Sequence, residues 1–255
     1  MPVVQHSLLC TFFLIASLVL QLDLIGESDA AQVTGASSKQ PPKEPGFKSI
    51  FDGKTLHGWE ATPPGSETAW KVSNGIITGT GGKVRGYLNY AANRKIADLE
   101  LKFSYRFPGK GNSGVSIRAI DDPTKTRNFQ SYHADLGHYG MGKRILGAWD
   151  FHTPGRTEHR CYRGDQLVID ADDIPTIKPI KNGLKSTDIR PGKWNDVHII
   201  ARGNNFRLYI NDKLASEFTE HLPEDRRLKR GMIQLQLHDP DMVVQFKDIR
   251  LKLLD

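Results

Sequence analysis

The most constraining feature of this chain is a strict alternation of apolar and polar residues between Leu99 and Phe107. Every second residue of this stretch is apolar: Leu99, Leu101, Phe103, Tyr105 and Phe107. A period of two places these side chains on one side of an extended strand and the polar ones on the other. The stretch therefore predicts a half-buried antiparallel strand.

Similar short segments follow, separated by turn residues. The turn sequence at 108–112 precedes an apolar alternation at Val115, Ile117 and Ala119, which predicts a hairpin with the first strand. A second hairpin is predicted from 194–202 and 206–211. Its inward-facing residues are then Phe206, Leu208 and Ile210.

The C-terminal part predicts two more strands, at 232–238 and 243–254. Apolar residues change parity near Lys247 and Asp248 in the last strand, which predicts a β-bulge there. These segments together predict an all-β fold, an antiparallel β-sandwich of the jelly-roll type. Residues 154–191 interrupt the pattern and predict a long loop that either contributes binding contacts or is a tolerated insertion.

The N-terminal 30 residues are predicted to be a signal peptide. Residues 8–22 form an uncharged apolar run, and small residues precede a predicted cleavage point after Ala30. Cleavage predicts export to the periplasm or the extracellular space without membrane contact; an uncleaved anchor is the alternative. Residues 31–45 are predicted to be a flexible linker, and 46–255 a single β-sandwich domain.

Loss of this leader removes three acidic residues and no Lys or Arg, which raises the formal net charge from +6 to +9. The basic residues are scattered and form no dense run with aromatics, so nucleic-acid binding is not predicted. Cys161 alone would remain, which excludes an internal disulfide. A catalytic thiol is the less favoured alternative for Cys161, because no recognisable motif surrounds it.

Six motifs occur in an order typical of one family. They are PGFKSIFDGKTLHGWE, WKVSNGIITG, GNSGVSIR, PGKWNDVHI, LYIND and GMIQLQLHDPDMVVQFKDIRL. In this combination residues 46–255 resemble the 3-keto-disaccharide hydrolase domain family, a concanavalin A-like lectin/glucanase sandwich. The resemblance implies hydrolysis of 3-keto-glycosides, with the substrate bound on the concave face of one sheet.

The implied reaction depends on a ketone at C3, which acidifies the hydrogen at C2. A base removes that proton, the glycosidic bond breaks by β-elimination, and water adds to the enone, so the sum is hydrolysis. A separate oxidoreductase must supply the ketone. A retaining glucanase would instead need paired carboxylates on one strand, and no such run exists in this sequence.

The strand at 232–238 contains the first candidate site residues. Gln234, Gln236 and His238 share one face by strand parity. An imidazole titrates near neutrality, so His238 is the candidate general base, and Gln236 is a candidate substrate ligand. A surface histidine at a strand end is the alternative. His238, Asp239 and Asp241 could hold a divalent metal, but the spacing is not diagnostic and no cofactor is assigned.

The GNSGVSIR motif contains two further candidates. Arg118 has the same strand parity as Ser116, and we expect it to bind sugar hydroxyls or to stabilise an enolate oxygen. A solvated surface charge is the alternative for Arg118. Asn112 precedes the strand and is a candidate substrate ligand or a turn residue.

The segment 129–135 departs from the family pattern. Gln130 stands where the family has Glu, and Tyr132 stands where it has Gln, whereas Asp135 is retained. Gln130 and Tyr132 are candidate substrate ligands, and Asp135 is a candidate catalytic residue. Loss of the family carboxylate favours the alternative of a non-catalytic carbohydrate-binding module. A protein-interaction domain is the third hypothesis.

Trp149 is either a sugar-stacking platform or a core residue.

Overall fold

The computed structural model describes residues 44–137, 142 and 144–254. The predicted leader and most of the linker lie outside these residues. Within the described ranges no helix is long and apolar enough to span a membrane. The helices there are three single 3-10 turns, Glu67–Ala69, Ser186–Asp188 and Glu224–Arg226.

The strands form two sheets. In chain order they are β1 (Lys48–Ser49), β2 (Trp59–Thr62), β3 (Trp70–Ser73), β4 (Ile76–Thr80), β5 (Gly86–Tyr90), β6 (Leu99–Arg106), β7 (Gly114–Asp121), β8 (Phe129–Asp135), β9 (Trp149–His152), β10 (Asp165–Ile169), β11 (Pro175–Pro179), β12 (Asn195–Arg202), β13 (Asn205–Ile210), β14 (Lys213–Glu220), β15 (Met232–Leu237) and β16 (Val243–Leu253).

The larger sheet has the order β11-β10-β14-β13-β12-β6-β16-β4-β3, with β1 added beside β16. The smaller sheet has the order β2-β5-β15-β7-β8-β9. Apolar side chains from both sheets pack into one core, in which Leu99, Leu101 and Phe103 from β6 face Val115 and Ile117 from β7. The predicted all-β sandwich is confirmed, and β10 beside β14 is its one parallel pair among the described strands.

The hairpin predicted between 99–107 and 115–119 is wrong. Strand β6 pairs with β12 and β16 in the larger sheet, whereas β7 pairs with β8 and β15 in the smaller one. The turn at 108–113 therefore carries the chain from one sheet to the other. Alternation predicts that each strand has one buried face. It does not distinguish two strands paired in one sheet from two strands in opposite sheets whose buried faces meet across the core.

The other strand predictions agree with the structure. Strands β12 and β13 form the expected hairpin, with Phe206, Leu208 and Ile210 fully buried. The last strand changes register between Lys247 and Arg250, where Asp248 has a φ of 55°. The segment 154–191 is more regular than expected, because β10 and β11 extend the larger sheet at its edge.

Cys161 lies in the core beside Trp149 and is 1% exposed. Its sulfur is 3.4 Å from the backbone oxygen of Glu217. Burial raises the pKa of the thiol strongly. A thiol that stays protonated is a poor nucleophile, so the structural reading of Cys161 holds.

Candidate functional site

The outer side of the smaller sheet carries a continuous row of polar side chains. Strand register places Asn89, Gln234, Ser116, His133 and Asp150 side by side on five neighbouring strands. Their parity is opposite to that of the core residues Leu235, Val115 and Ala134. We call this outer side of the smaller sheet the polar face.

Two aromatic rings reach across the polar face. Tyr87 on β5 and Phe129 on β8 meet with ring centroids 5.3 Å apart, although β15 and β7 lie between their strands. With Ala119 and Met232 they form an apolar cluster that is separate from the main core. The rings shield part of the floor, which explains why outward-facing polar residues such as Ser116 and Gln234 are buried.

Two histidines stand together on the polar face. The rings of His133 and His152 are stacked, with centroids 4.9 Å apart. Ser116 Oγ lies 2.9 Å from Nδ1 of His133, and Ser131 Oγ lies 3.5 Å from Nδ1 of His152. Burial lowers the pKa of His133 well below its usual value. It lowers the pKa of His152 to about 4, so both imidazoles are neutral at pH 7.

Gly114 explains how the His133 ring fits. A Cβ atom on Gly114 would lie 2.2 Å from His133 Nε2, which no real contact permits. Just before it, the Ser113 hydroxyl donates to the carbonyl of Gln236 at 2.6 Å. The Asn112 carbonyl accepts from the backbone N–H of His238 at 3.4 Å. The Asn-Ser-Gly sequence therefore positions the imidazoles and the end of β15.

Two carboxyl groups near the polar face hold their protons more tightly than usual. Burial raises the pKa of Asp135 to about 8, and the charge of Asp150 adds to this effect. Burial, followed by the charge of Glu158, raises the pKa of Asp150. A carboxyl group with a raised pKa is suited to proton donation.

His238 lies directly after β15, at the edge of the polar face. Its Nδ1 is 2.6 Å from Asp239 Oδ1, and its side chain is 30% exposed. It is close enough to lower the pKa of His133 and His152 and to oppose the rise at Asp150. The Asp239 contact assigns the Nδ1 proton, so Nε2 is the nitrogen left to exchange a proton with a ligand.

A cavity of about 330 Å³ opens on the polar face. Its lining includes Arg85, Arg127, Tyr87, His152 and Gln234. The Gln234 amide nitrogen donates to Asn89, whose own amide donates to Thr62. This relay leaves Gln234 Oε1 as a buried acceptor that no described residue satisfies. Such an acceptor suits a ligand hydroxyl.

Arg118 does not lie on the polar face, contrary to the parity prediction. The register of β7 shifts between Ile117 and Ile120, and Arg118 has a φ of 49°. Arg118 therefore points to the inner side, where its guanidinium lies over the Phe206 ring and pairs with Asp98 at 2.9 Å. A Cβ on Gly231 would lie 2.4 Å from the Arg118 carbonyl carbon, so the bulge needs glycine opposite it.

Three other predicted ligands have internal partners. Tyr132 and Trp149 are fully buried core residues that pack on Phe218, so neither offers a face to a sugar. Tyr132 also hydrogen-bonds Glu220. The Gln130 amide donates to Asp122 at 3.0 Å and so helps to shape the loop before β8. Of the predicted residues, the structure brings Gln236, Asn112, Asp135 and His238 to the polar face or its edge.

Ser131, His133, Asp150 and His152 were not among the predicted site residues, although the sequence contained a signal for them. Ser131 and His133 alternate with core residues on β8, and Asp150 and His152 do so on β9. Polar residues at a period of two mark the outer side of the sheet, as at 232–238. Among the described residues there is no group of three or more His, Cys, Asp or Glu side chains placed to hold a metal ion.

Residues 46–252 match the model of a family described as the 3-keto-alpha-glucoside-1,2-lyase-like domain. A candidate glycosyl hydrolase from Parabacteroides distasonis is 20% identical over 82% of this chain and 94% of its own, with a TM-score of 0.53. A second candidate glycosyl hydrolase from that bacterium is 17% identical over 82% of this chain and 99% of its own, with a TM-score of 0.52. A Bacillus subtilis protein with a galectin-like fold is 10% identical over 81% of this chain and 94% of its own, with a TM-score of 0.51. These likenesses establish the fold. No curated protein matches the chain.

Proposed function

Because the chain belongs to the 3-keto-alpha-glucoside-1,2-lyase-like domain family, we propose that it cleaves 3-keto-glycosides on the polar face. Family membership supports a carbohydrate-related function. The proposed reaction is removal of the C2 proton, β-elimination of the glycosidic oxygen, and addition of water to the enone. A separate oxidoreductase supplies the ketone, and we place the activity in the periplasm or outside the cell.

The single observation that supports this reaction most is the His238–Asp239 pair beside neutral imidazoles. Asp239 Oδ1 lies 2.6 Å from Nδ1 of His238, which orients Nε2 as a proton acceptor. The pKa of neighbouring His152 is lowered to about 4, so it stays neutral and does not repel the imidazolium that forms on His238. A base of this kind suits the acidic C2 hydrogen of a keto-sugar.

The remaining steps need an acid and hydrogen-bonding groups. Asp150, whose pKa is raised by burial, is the proposed proton donor to the leaving oxygen. The buried acceptor Oε1 of Gln234 binds a sugar hydroxyl, and Gln236 contributes a second amide to the same strand face. Water then adds to the enone at C1 and gives one proton to Asp150, which restores the acid. His238 exchanges its proton with solvent and protonates C2, which restores the base.

The test uses the purified protein with p-nitrophenyl 3-keto-glucoside and with the same glucoside lacking the ketone. We expect nitrophenol release from the keto-glucoside alone, and deuterium at C2 of the product in D₂O. His238→Asn should lower the rate by about 10²–10⁴-fold, as expected for loss of a general base. His57→Asn, at an exposed histidine in the N-terminal part of the domain, is the matched control.

Equal cleavage of both glucosides, or a product without deuterium at C2, would contradict the elimination reaction. Binding of the keto-glucoside without any turnover would instead favour the carbohydrate-binding module. An Asp239→Asn variant separates orientation from chemistry, because it keeps the His238 base but loses the charge that orients it. We expect a rate between those of the wild type and His238→Asn.

A further inference from the structure

The cavity on the polar face contains more positive charge than a neutral sugar requires. Arg85 and Arg127 both line it, together with six residues that include no Asp or Glu. Neither guanidinium forms an ion pair within 4 Å in the described part of the chain, so no internal carboxylate compensates either charge at the cavity.

The two arginines stand at the same sequence distance from the two rings of the aromatic pair. Arg85 is two residues before Tyr87, and Arg127 is two residues before Phe129. Arg85 directly precedes β5 and Arg127 lies in the loop before β8, and both line the same cavity as the two aromatic residues. Because the Tyr87 and Phe129 rings meet at 5.3 Å, the two arginines flank one recess although they come from distant parts of the sequence.

The loop that carries Arg127 is well organised. Asp122 accepts hydrogen bonds from the backbone N–H groups of Thr124 and Arg127, at 2.9 and 2.8 Å, and from the Gln130 amide at 3.0 Å. The Asp122 carboxylate is thus directed into the loop. Gln130, in place of the carboxylate typical of the family, adds no negative charge near Arg127 and acts as a positioning residue for this loop.

The histidine of the cavity adds no charge. Burial, then the charges of Arg127 and Arg85, lower the pKa of His152 to about 4. Asp150 faces the same region from β9, and Arg127 opposes the rise of its pKa. The cavity is therefore cationic at pH 7 through its two arginines, and guanidinium groups recognise planar and tetrahedral oxyanions with paired hydrogen bonds.

We infer that this cavity selects an acidic sugar, one whose ring carries a carboxylate or a sulfate group bound by Arg85 and Arg127. The inference rests on the proposed carbohydrate function and names its substrate class. The Tyr87 and Phe129 rings contact the apolar side of the sugar, and Gln234 Oε1 accepts one of its hydroxyl groups. The excess of basic residues in the chain is consistent with an anionic ligand.

The test measures binding by calorimetry at low salt with three probes: methyl glucoside, methyl glucuronide and methyl glucoside 6-sulfate. We expect at least one anionic probe to bind about tenfold or more tightly than the neutral one, as expected for charge-assisted hydrogen bonds. Arg85→Gln and Arg127→Gln should each bring the ratio of anionic to neutral affinity most of the way to one, and that ratio is the readout. The tighter of the two anionic probes identifies the group.

Arg202→Gln is the matched control, because Arg202 is exposed on β12 of the larger sheet. Equal affinity for all three probes, or a preference that survives in both cavity variants, would overturn the inference. Cleavage of the 3-keto derivatives is followed in parallel. Charge-selective binding without cleavage refutes only the proposed reaction, whereas equal cleavage of neutral and acidic keto-glycosides without charge-selective binding refutes only the inference.

Discussion

Substitution of Arg118 by methionine tests whether this residue stabilises the fold or acts on a substrate. Arg118 is 4% exposed. It donates to the carbonyl oxygens of Ala97 and Leu228 at 3.1 and 2.9 Å, and to Asp98 Oδ1 at 2.9 Å. Methionine keeps much of the apolar stem but removes all three hydrogen bonds. Two carbonyl groups and one carboxylate then lose the guanidinium as a hydrogen-bond donor.

The expected loss follows from these contacts. Breaking a buried ion pair by removing one partner costs about 3–5 kcal/mol. The Asp98 side chain is 25% exposed and also accepts hydrogen bonds from the Gly203 N–H, so its charge stays partly compensated. We therefore expect the lower end of this range, a decrease of about 3 kcal/mol in the free energy of unfolding for Arg118→Met.

The measurement is urea unfolding followed by fluorescence, with the free energy taken at an unchanged m-value. Arg202→Met, at an exposed arginine, should change stability by about 0.5 kcal/mol or less. Folded Arg118→Met should bind sugars and turn over substrate within a few-fold of the wild type. If the variant keeps wild-type stability and loses turnover by about 100-fold, the structural reading of Arg118 is wrong and a catalytic role replaces it.

Three further predictions concern buried titratable groups. Between pH 6.5 and pH 4 the free energy of unfolding should fall, because unfolded His152 takes up a proton that the folded residue resists until its pKa of about 4; His152→Asn should weaken this dependence in urea titrations. Asp135→Asn should become more stable relative to wild type as the pH rises from 4 to 8, because the folded wild type retains a proton up to a pKa of about 8. A constant difference across that range would contradict the assignment. Cys161 should resist iodoacetamide until the protein is unfolded, since burial raises the pKa of its thiol; mass spectrometry of the folded protein should detect no adduct.

Part of the candidate site followed from strand parity alone. The polar set Gln234, Gln236 and His238 was recognisable because residues at a period of two share one side of a strand. The same rule placed Arg118 incorrectly. A bulge with a positive φ at that residue puts Ile117 and Arg118 on the same inner side. Parity holds only while the register is regular, and nothing in the local sequence required the bulge.

Other residues of the site were visible in the sequence but had no evident common location. His133 and His152 lie on β8 and β9, whereas Arg85 precedes β5 and Arg127 precedes β8. Their proximity depends on the strand order β5-β15-β7-β8-β9. That order is a set of long-range pairings. Trp149 was identified in the sequence, but its role was open, because a tryptophan in a short strand suits both a sugar platform and a core position. Its packing against Phe206 and Phe218 shows that it is a core residue.

The sequence by itself determined that the chain forms an all-β sandwich of this family, because alternation and the ordered motifs reflect local burial and turn chemistry. It also located the bulge in the last strand and the hairpin of β12 and β13. Only the tertiary structure decided that β6 and β7 lie in opposite sheets, and that the rings of Tyr87 and Phe129 meet over the polar face beside a cavity lined by Arg85 and Arg127. Alternation specifies which face of a strand is buried, whereas the partner that buries it is chosen by contacts between distant segments.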